Sequence, residues 1–244
     1  HYHFSTASDE RICMQQFDKV ICVSNAVMKS VIDIIGDPGN LCVRYNPINY
    51  MEIRKKAEEK QLMIKPEGKL LFIAVGRLDP QKNYLMLIEV FAKLCKIRND
   101  IELWIVGEGK QRKALEEKIK SVGVTEIKII GEKKNPYPII QMADCLINAS
   151  RWESYGLVIQ EAFILGTPVI ATRCPAIEEI FDDRFGILVE NTEEQLEKAL
   201  LKVIQDPDLL KIYRTNIKNF YVTDILYEKR LEKVCNLWEQ KNET

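Results

Sequence analysis

Histidine is almost absent from this chain. Its 244 residues hold two, His1 and His3, and none beyond the third position. The commonest acid–base residue and metal ligand is therefore missing from nearly the whole sequence. A paired C-x-x-C is also lacking, although there are seven cysteines: Cys13, Cys22, Cys42, Cys95, Cys145, Cys174 and Cys235. Ligand spacing is absent and both histidines sit at the extreme start, which argues against zinc. The cysteine number is odd and most sit among apolar neighbours, as in "VICVS" and "ADCLIN", so they read as buried free thiols of a reducing compartment. No apolar run is long enough to span a bilayer, and no secretory leader pattern stands at the start. Neither charge dominates: 35 basic against 36 acidic residues leave a net charge of −1. Such a chain has no broad basic field to attract nucleic acid. Internal repeats and low-complexity tracts are absent as well.

What remains is an ordinary globular composition, 46% hydrophobic and 29% charged, long enough for a substantial core. From residue 70 onward, short apolar runs alternate with longer amphipathic ones. The runs "LLFIAV" (70–75), "IELWIV" (101–106), "EIKII" (126–130), "CLINA" (145–149), "PVIA" (168–171) and "GILVE" (186–190) read as buried strands. The stretches 83–97, 110–123, 137–143, 156–166 and 175–181 read as helices. This alternation implies an α/β fold with a Rossmann-like, doubly wound parallel sheet, whose ligands sit at the carboxyl ends of the strands. Residues 192–205, 207–220 and 224–240 continue as helices, with a capping-box pattern at Thr192 and Gln195. Upstream, 17–24 and 41–45 read as strands around a helix at 25–35. The expected organisation is a remnant of a preceding domain at 1–50, a charged helical linker at 51–66, the sheet domain at 67–222 and a terminal helix at 223–244. A chain that begins at His1 without Met reads as a fragment of something longer, its preceding domain mostly absent.

Two clusters carry chemistry. In "VGRLDPQKN" (75–83), Gly76 permits a tight exit from a strand, and Arg77 and Lys82 occupy the loop before a helix that Asn83 is placed to cap. Two cations near a helix N-terminus make a good anion site; two solvated surface charges would carry the same pattern. In "SRWESYGLVIQEAFILG" (150–166), Glu153 sits in a loop, whereas Glu161 lies in an otherwise apolar helix. A carboxylate there is costly to bury without partners. Ribose hydroxyls are suitable donors, but solvent or a lysine would also satisfy it. The backbone N–H groups of Ser154, Tyr155, Gly156 and Leu157 open that helix and suit a diphosphate or a sugar hydroxyl. Asp206-Pro207-Asp208 spells D-x-D, but it separates two helices and reads as a helix break and cap.

Glu153 and Glu161, with seven residues between them in "ESYGLVIQE", resemble the E-x7-E pattern of retaining group 1 (GT4-type) glycosyltransferases of the GT-B fold. The flanks are similar too: "VGRLDPQKN" to that family's phosphate loop, "LWIVGEGKQRKALE" (103–116) to its strand–glycine–helix element, and "AIEEIFDDRFGILV" (176–189) to the segment that follows. The likeness runs over about 17–240 and is most specific between 75 and 190. Arg173-Cys174-Pro175-Ala176 departs from the glycine-richer turn of many relatives.

The resemblance implies a GT-B transferase that moves a hexosyl or N-acetylhexosaminyl group, with retention, from a nucleotide diphosphate sugar to a glycan or lipid-linked acceptor, in polysaccharide or glycoconjugate synthesis. UDP-sugar is the default donor and no cofactor is needed. Arg77 and Lys82 would hold the diphosphate, Glu161 the ribose and Glu153 the donor sugar. Gly76 and the amides of Ser154, Tyr155, Gly156 and Leu157 would contact sugar and phosphate, and the stretch 129–135, with Gly131, would pass the base. A cytoplasmic setting is implied, with peripheral contact to the cytoplasmic membrane face through the preceding domain. Two alternatives stay open: a non-catalytic nucleotide-sugar-binding fragment, and another enzyme of the same fold such as a nucleotide-sugar epimerase. The epimerase would need acid–base histidines. A dinucleotide-binding module would show G-x-G-x-x-G after the first strand, and "GRLDPQ" does not.

Overall fold

A computed structural model of the chain describes residues 7–60 and 63–220. These fall into two units, one within 1–49 and the other within 50–223. The helix read at 224–240, Cys235 and both histidines lie outside the described residues.

The first unit is a small βαβ arrangement preceded by a helix. Helix α1 (Ala7–Gln15) leads to β1 (Val20–Cys22), α2 (Asn25–Ile35) and β2 (Leu41–Val43). The strands pair in parallel, Val20 opposite Leu41. Ser24 caps α2 by accepting from the Val27 N–H at 3.1 Å, and Gly36 ends it. Asn40 donates to the carbonyls of Met14 and Phe17, fastening the turn before β2 to the end of α1.

The second unit begins with α3 (Tyr50–Ala57) and continues as β3 (Leu70–Val75), a short 3-10 turn (Pro80–Lys82), α4 (Tyr84–Cys95), β4 (Ile101–Val106), α5 (Arg112–Val122), β5 (Ile127–Gly131) and α6 (Tyr137–Met142). It proceeds through β6 (Cys145–Asn148), α7 (Leu157–Ile164), β7 (Val169–Thr172), α8 (Pro175–Glu178), β8 (Gly186–Val189), α9 (Glu193–Gln205) and α10 (Asp208–Phe220). The six strands form one parallel sheet in the order β5-β4-β3-β6-β7-β8. Each apolar run picked out from the sequence is a strand of this sheet, and the doubly wound reading holds.

Alternation along the strands divides the core between the two faces. Phe72 and Ala74 of β3, with Leu103 and Ile105 of β4, pack with Leu87, Phe91 and Leu94 of α4 and Leu196, Leu200 and Val203 of α9. Phe72 and Phe91 meet edge to face at 5.5 Å. Helices α3, α6 and α7 contact one another apart from that cluster. The segment read as a linker, 51–66, is thus in part a packed helix: Tyr50, Ile53 and Ala57 are buried at one face of α3. Its charges, Arg54, Lys55 and Lys56, gave it a linker-like composition while the buried positions stayed inconspicuous.

Glu102 is buried near the start of β4. It accepts from the Trp104 indole at 2.5 Å and from Lys128 at 2.6 Å. Burial opposes its ionisation, yet these two donors hold the carboxyl below the usual range. Helix α9 is capped as expected, Thr192 accepting from the Gln195 N–H at 3.3 Å. Asp206 and Pro207 separate α9 from α10. The six described cysteines are free thiols, three of them buried. Of the described helices, none is long and apolar enough to cross a membrane.

Phe91→Ala should destabilise the protein by about 3–5 kcal/mol, because a cavity between α4 and β3 adds to the lost transfer energy. Thr192→Ala should cost only about 1 kcal/mol, the usual value of a cap. Urea unfolding of both variants measures the contrast; equal small losses would contradict the placement of Phe91 in the core.

Candidate functional site

The winding reverses between β3 and β6, the two central strands, and it is at the carboxyl ends flanking such a reversal that sheets of this kind hold ligands. The loops leaving these strands are the two clusters singled out from the sequence. The 3-10 turn after β3 carries Lys82, and the loop after β6 carries Glu153. Their side chains meet in an ion pair, Lys82 Nζ to Glu153 Oε1 at 2.6 Å, with only 16% and 8% of the side chains exposed. Glu153 Oε1 also accepts from the Ser150 hydroxyl at 2.8 Å and from the Asn148 amide at 3.4 Å.

Glycine makes this approach feasible. Gly76 has φ +152°, and a Cβ there would stand 2.8 Å from Lys82 Cε and 3.2 Å from the Tyr84 hydroxyl. A side chain at 76 would therefore displace the lysine stem. Gly107, at the end of β4, lies so close that its Cβ would come 2.0 Å from the Gly76 carbonyl oxygen. The loops also continue the sheet's hydrogen bonding beyond the strands. Gly76 N–H donates to Val106, Leu78 N–H to Glu108, Gly107 N–H to Gly131 and Gln111 N–H to Leu78. On the other side, Arg151 N–H donates to the Gln81 carbonyl at 2.8 Å, and the Gln81 side chain donates to the Trp152 carbonyl at 2.8 Å.

Asn83 precedes α4 in the left-handed conformation, φ 54° and ψ 34°, and makes no side-chain cap. The expected cap is corrected here: its amide oxygen accepts from Arg151 Nε instead, at 3.3 Å, and its amide nitrogen donates toward Asn191 at 3.4 Å. The residue thus ties the β3 loop to the β6 loop. The Tyr84 hydroxyl is buried beneath this junction; burial, and after it the charge of Glu153, push its pKa up.

The other expected residues take varied positions. Arg77 is 78% exposed in its side chain, 3.5 Å from Asp79. Ser154 and Leu157 are exposed, whereas the Tyr155 side chain is buried. Gly156 opens α7 with φ 75° and ψ 43°, no side chain capping the helix. Gly131 ends β5 beside the Glu108 carboxylate, which pairs with Arg112. Glu161, one turn into α7, neither reaches for a lysine nor lies open to solvent. It accepts from the Tyr137 hydroxyl at 3.1 Å. Burial raises its pKa, and the tyrosine partly offsets that rise. Arg173 pairs with Glu178 and Glu190, giving the divergent turn after β7 a structural tie.

Sequence reasoning missed Asn148, Ser150 and Tyr137, the groups that hold the two glutamates. A polar asparagine closing the apolar strand "CLIN" was the available signal for the first; the spacing from Tyr137 to Glu161 held none. Among the described residues, no cluster of three histidine, cysteine or carboxylate side chains could hold a metal ion.

The profile of the family described as Glycosyl transferases group 1 matches residues 55–220, and the chain belongs to that family. It is 31% identical over 180 residues to the Campylobacter jejuni N-acetylgalactosamine-N,N'-diacetylbacillosaminyl-diphospho-undecaprenol 4-alpha-N-acetylgalactosaminyltransferase, covering 72% of this chain and 47% of that protein. To a GDP-mannose-dependent alpha-(1-6)-phosphatidylinositol dimannoside mannosyltransferase of Mycobacterium tuberculosis it is 25% identical over 197 residues, 79% of this chain and 50% of the other. The chain spans about half the length of these curated relatives. Among solved structures, Anabaena Alr3699/HepE in complex with UDP and glucose aligns with a TM-score of 0.77 at 20% identity, over 96% of this chain and 68% of that one. The shared architecture is the GT-B fold.

Two outcomes follow from the site's charges. Lys82→Met should lower stability by about 3 kcal/mol, because it strands a largely buried carboxylate. Adding Glu153→Gln should recover most of that loss, and chemical denaturation of the single and double variants reads it. Glu161 has its pKa raised on folding, so its charge is penalised at pH above that value and stability rises as pH falls through it. Glu161→Gln should therefore raise the melting temperature of the ligand-free protein at neutral pH; a lowered one would contradict the burial argument.

Proposed function

We propose that the carboxyl-end edge of the sheet at the β3/β6 switch binds a nucleotide diphosphate sugar and forms the donor side of a retaining sugar transfer to a glycan or lipid-linked acceptor. The observation that carries this reading is the meeting of Lys82 and Glu153, one from each loop of the switch point, at 2.6 Å. In that place a cation and a carboxylate serve the two halves of such a donor. Lys82, with the exposed Arg77 swinging in, takes the diphosphate; Glu153 accepts from hydroxyls of the sugar. The amides at 154–157 open α7 toward the same charge. Glu161, on α7, accepts from the ribose, and the segment from Gly131 onward passes the base.

Catalysis on this reading is electrostatic. The bond between the anomeric carbon and the β-phosphate oxygen breaks, its electron pair stays on the phosphate, and the acceptor hydroxyl forms the new bond to carbon and passes its proton to the departing phosphate oxygen. Lys82, Arg77 and the helix amides favour the charge that builds on the leaving diphosphate. No metal or other cofactor enters this scheme. UDP is the proposed carrier, in keeping with the UDP held by the Anabaena neighbour; the GDP-mannose dependence of the mycobacterial relative makes GDP the comparison. A hexosyl or N-acetylhexosaminyl group is the proposed cargo, and a cytoplasmic setting with peripheral membrane contact the proposed location.

Calorimetry with UDP, GDP and the matching nucleosides tests the assignment. Lys82→Ala or Arg77→Ala should weaken the diphosphate by about 1.5–3 kcal/mol and leave the nucleoside nearly unaffected. Glu161→Gln should weaken diphosphate and nucleoside alike, while Glu153→Gln should spare both and reduce sugar transfer. Loss of plain nucleotide binding in Glu153→Gln, but not in Glu161→Gln, would exchange the two roles and sink the placement of the donor.

A further inference from the structure

Glu161 occupies an unusual place: a partly buried carboxylate on α7, whose neighbouring positions Ile159, Ala162 and Phe163 are core. A free carboxylate on an apolar helix turns among several rotamers and is disfavoured in its charged form. The Tyr137 hydroxyl, arriving from α6, donates to Oε1 at 3.1 Å. Tyr137 is itself held. Pro136 and Pro138 flank it, and their rings fix the backbone at either side. Asn135 accepts from the Tyr137 N–H at 3.2 Å. The same asparagine donates to the Lys56 carbonyl at 2.8 Å and to Glu59 at 2.9 Å. A chain of contacts therefore runs from the end of α3 through Asn135 and Tyr137 to the carboxylate.

We propose that Tyr137 is a positioning residue for the nucleoside end of the site, its hydroxyl fixing the Glu161 carboxylate so that the remaining lone pairs meet the two vicinal hydroxyls of a ribose. This rests on the assignment of Glu161 to the ribose under the proposed function. A carboxylate offers about four lone-pair sites, so one bond to Tyr137 leaves room for a diol. The phenol supplies a donor without adding a charge, and it favours the ionised form that accepts best from hydroxyls. A site tuned this way separates a ribonucleotide from its 2′-deoxy counterpart, which lacks one of the two donors.

The titratable surroundings are few. Helix α6 brings Tyr137, and α3 brings Glu52, Arg54, Lys55 and Lys56, of which Glu52 pairs with Lys56 at 2.6 Å. Strands β6 and β7 bring only Cys145, a buried thiol with its pKa raised by desolvation. Helix α8, which follows β7, brings Glu178, paired with Arg173. Burial is the first influence on Glu161 and raises its pKa, and the bond from Tyr137 is the one that lowers it. Removing the hydroxyl therefore raises the carboxyl's pKa further, and the ionised acceptor is lost at a higher pH on the acid side.

The experiment is a calorimetric titration of the full chain with UDP, GDP and their 2′-deoxy forms across acid to neutral pH. It compares the parent, Tyr137→Phe, Glu161→Gln and the double variant, with thermal unfolding of each as the control for folding. Tyr137→Phe should bind UDP about tenfold more weakly, shift the acid limb of binding to higher pH and narrow the gap between UDP and 2′-deoxy-UDP. In the Glu161→Gln background it should add nothing. Site-specific 3-fluorotyrosine at 137, a stronger donor of nearly the same shape, should move the acid limb the other way, and it keeps the test open if Tyr137→Phe unfolds. If Glu161→Gln weakens UDP but Tyr137→Phe and the fluorinated residue leave affinity, limb and gap unchanged, the role of Tyr137 is overturned and the ribose assignment stands. If Glu161→Gln leaves every ligand unaffected, the assignment falls and the inference with it.

Discussion

In a parallel sheet every strand ends at the same edge, and each connection must return over one face or the other. Where the direction of winding reverses, adjacent strands send their helices to opposite faces and the two exit loops part. In this chain the parting lies between β3 and β6, and the arrangement of the candidate site follows from it. The β3 loop delivers a lysine, the β6 loop a glutamate, and the gap between them is narrow enough for the two to pair. Had the order of strands been different, the same residues would have stood on separate parts of the surface.

The pair also shows how the protein keeps charges in a poorly hydrated place. Lys82 and Glu153 are each mostly shielded, and each neutralises the other, with Ser150 and Asn148 adding donors to the carboxylate. Glu102 is managed in the same fashion by Lys128 and the Trp104 indole. Glu161 is different. Its described partner is a neutral phenol, so its charge is the least compensated of the three, and burial raises its pKa. A carboxylate left partly uncompensated in the ligand-free fold is what a ligand with several hydroxyl donors can relieve.

Much of this was legible in the sequence because it depends on local pattern. Six short apolar runs are strands to within a residue or two of where alternation placed them, and the glycine after β3 is where a close backbone approach needs it. Glu161 was visible as a carboxylate in an apolar helix, and Glu153 through the spacing that pairs it with Glu161 in the family pattern. What escaped depends on side chains distant in sequence. Tyr137 and Glu161 are 24 positions apart and meet only because α6 and α7 pack together. Asn83 looked like a helix cap, the commonest use of an asparagine before a helix; its left-handed backbone ends the 3-10 turn, and its amide is taken up by Arg151, 68 positions later. The burial of one face of α3 was hidden beneath a run of charges.

The hydrogen-bonded ladder does not stop where the strands do. Amides at Gly76, Leu78, Gly107 and Gln111 carry it into the loops, so segments that elsewhere would wander are stitched to their neighbours before anything binds. Loops that must be ordered by a ligand subtract that ordering from the affinity. Here the backbone around the β3 and β4 exits is already in register, and only side chains such as the exposed Arg77 are left to settle. This edge of the sheet is thus held by the fold's own backbone bonds, with the Arg77 side chain exposed. In amide exchange its loops should follow the slow time course of the sheet rather than the fast one of surface turns.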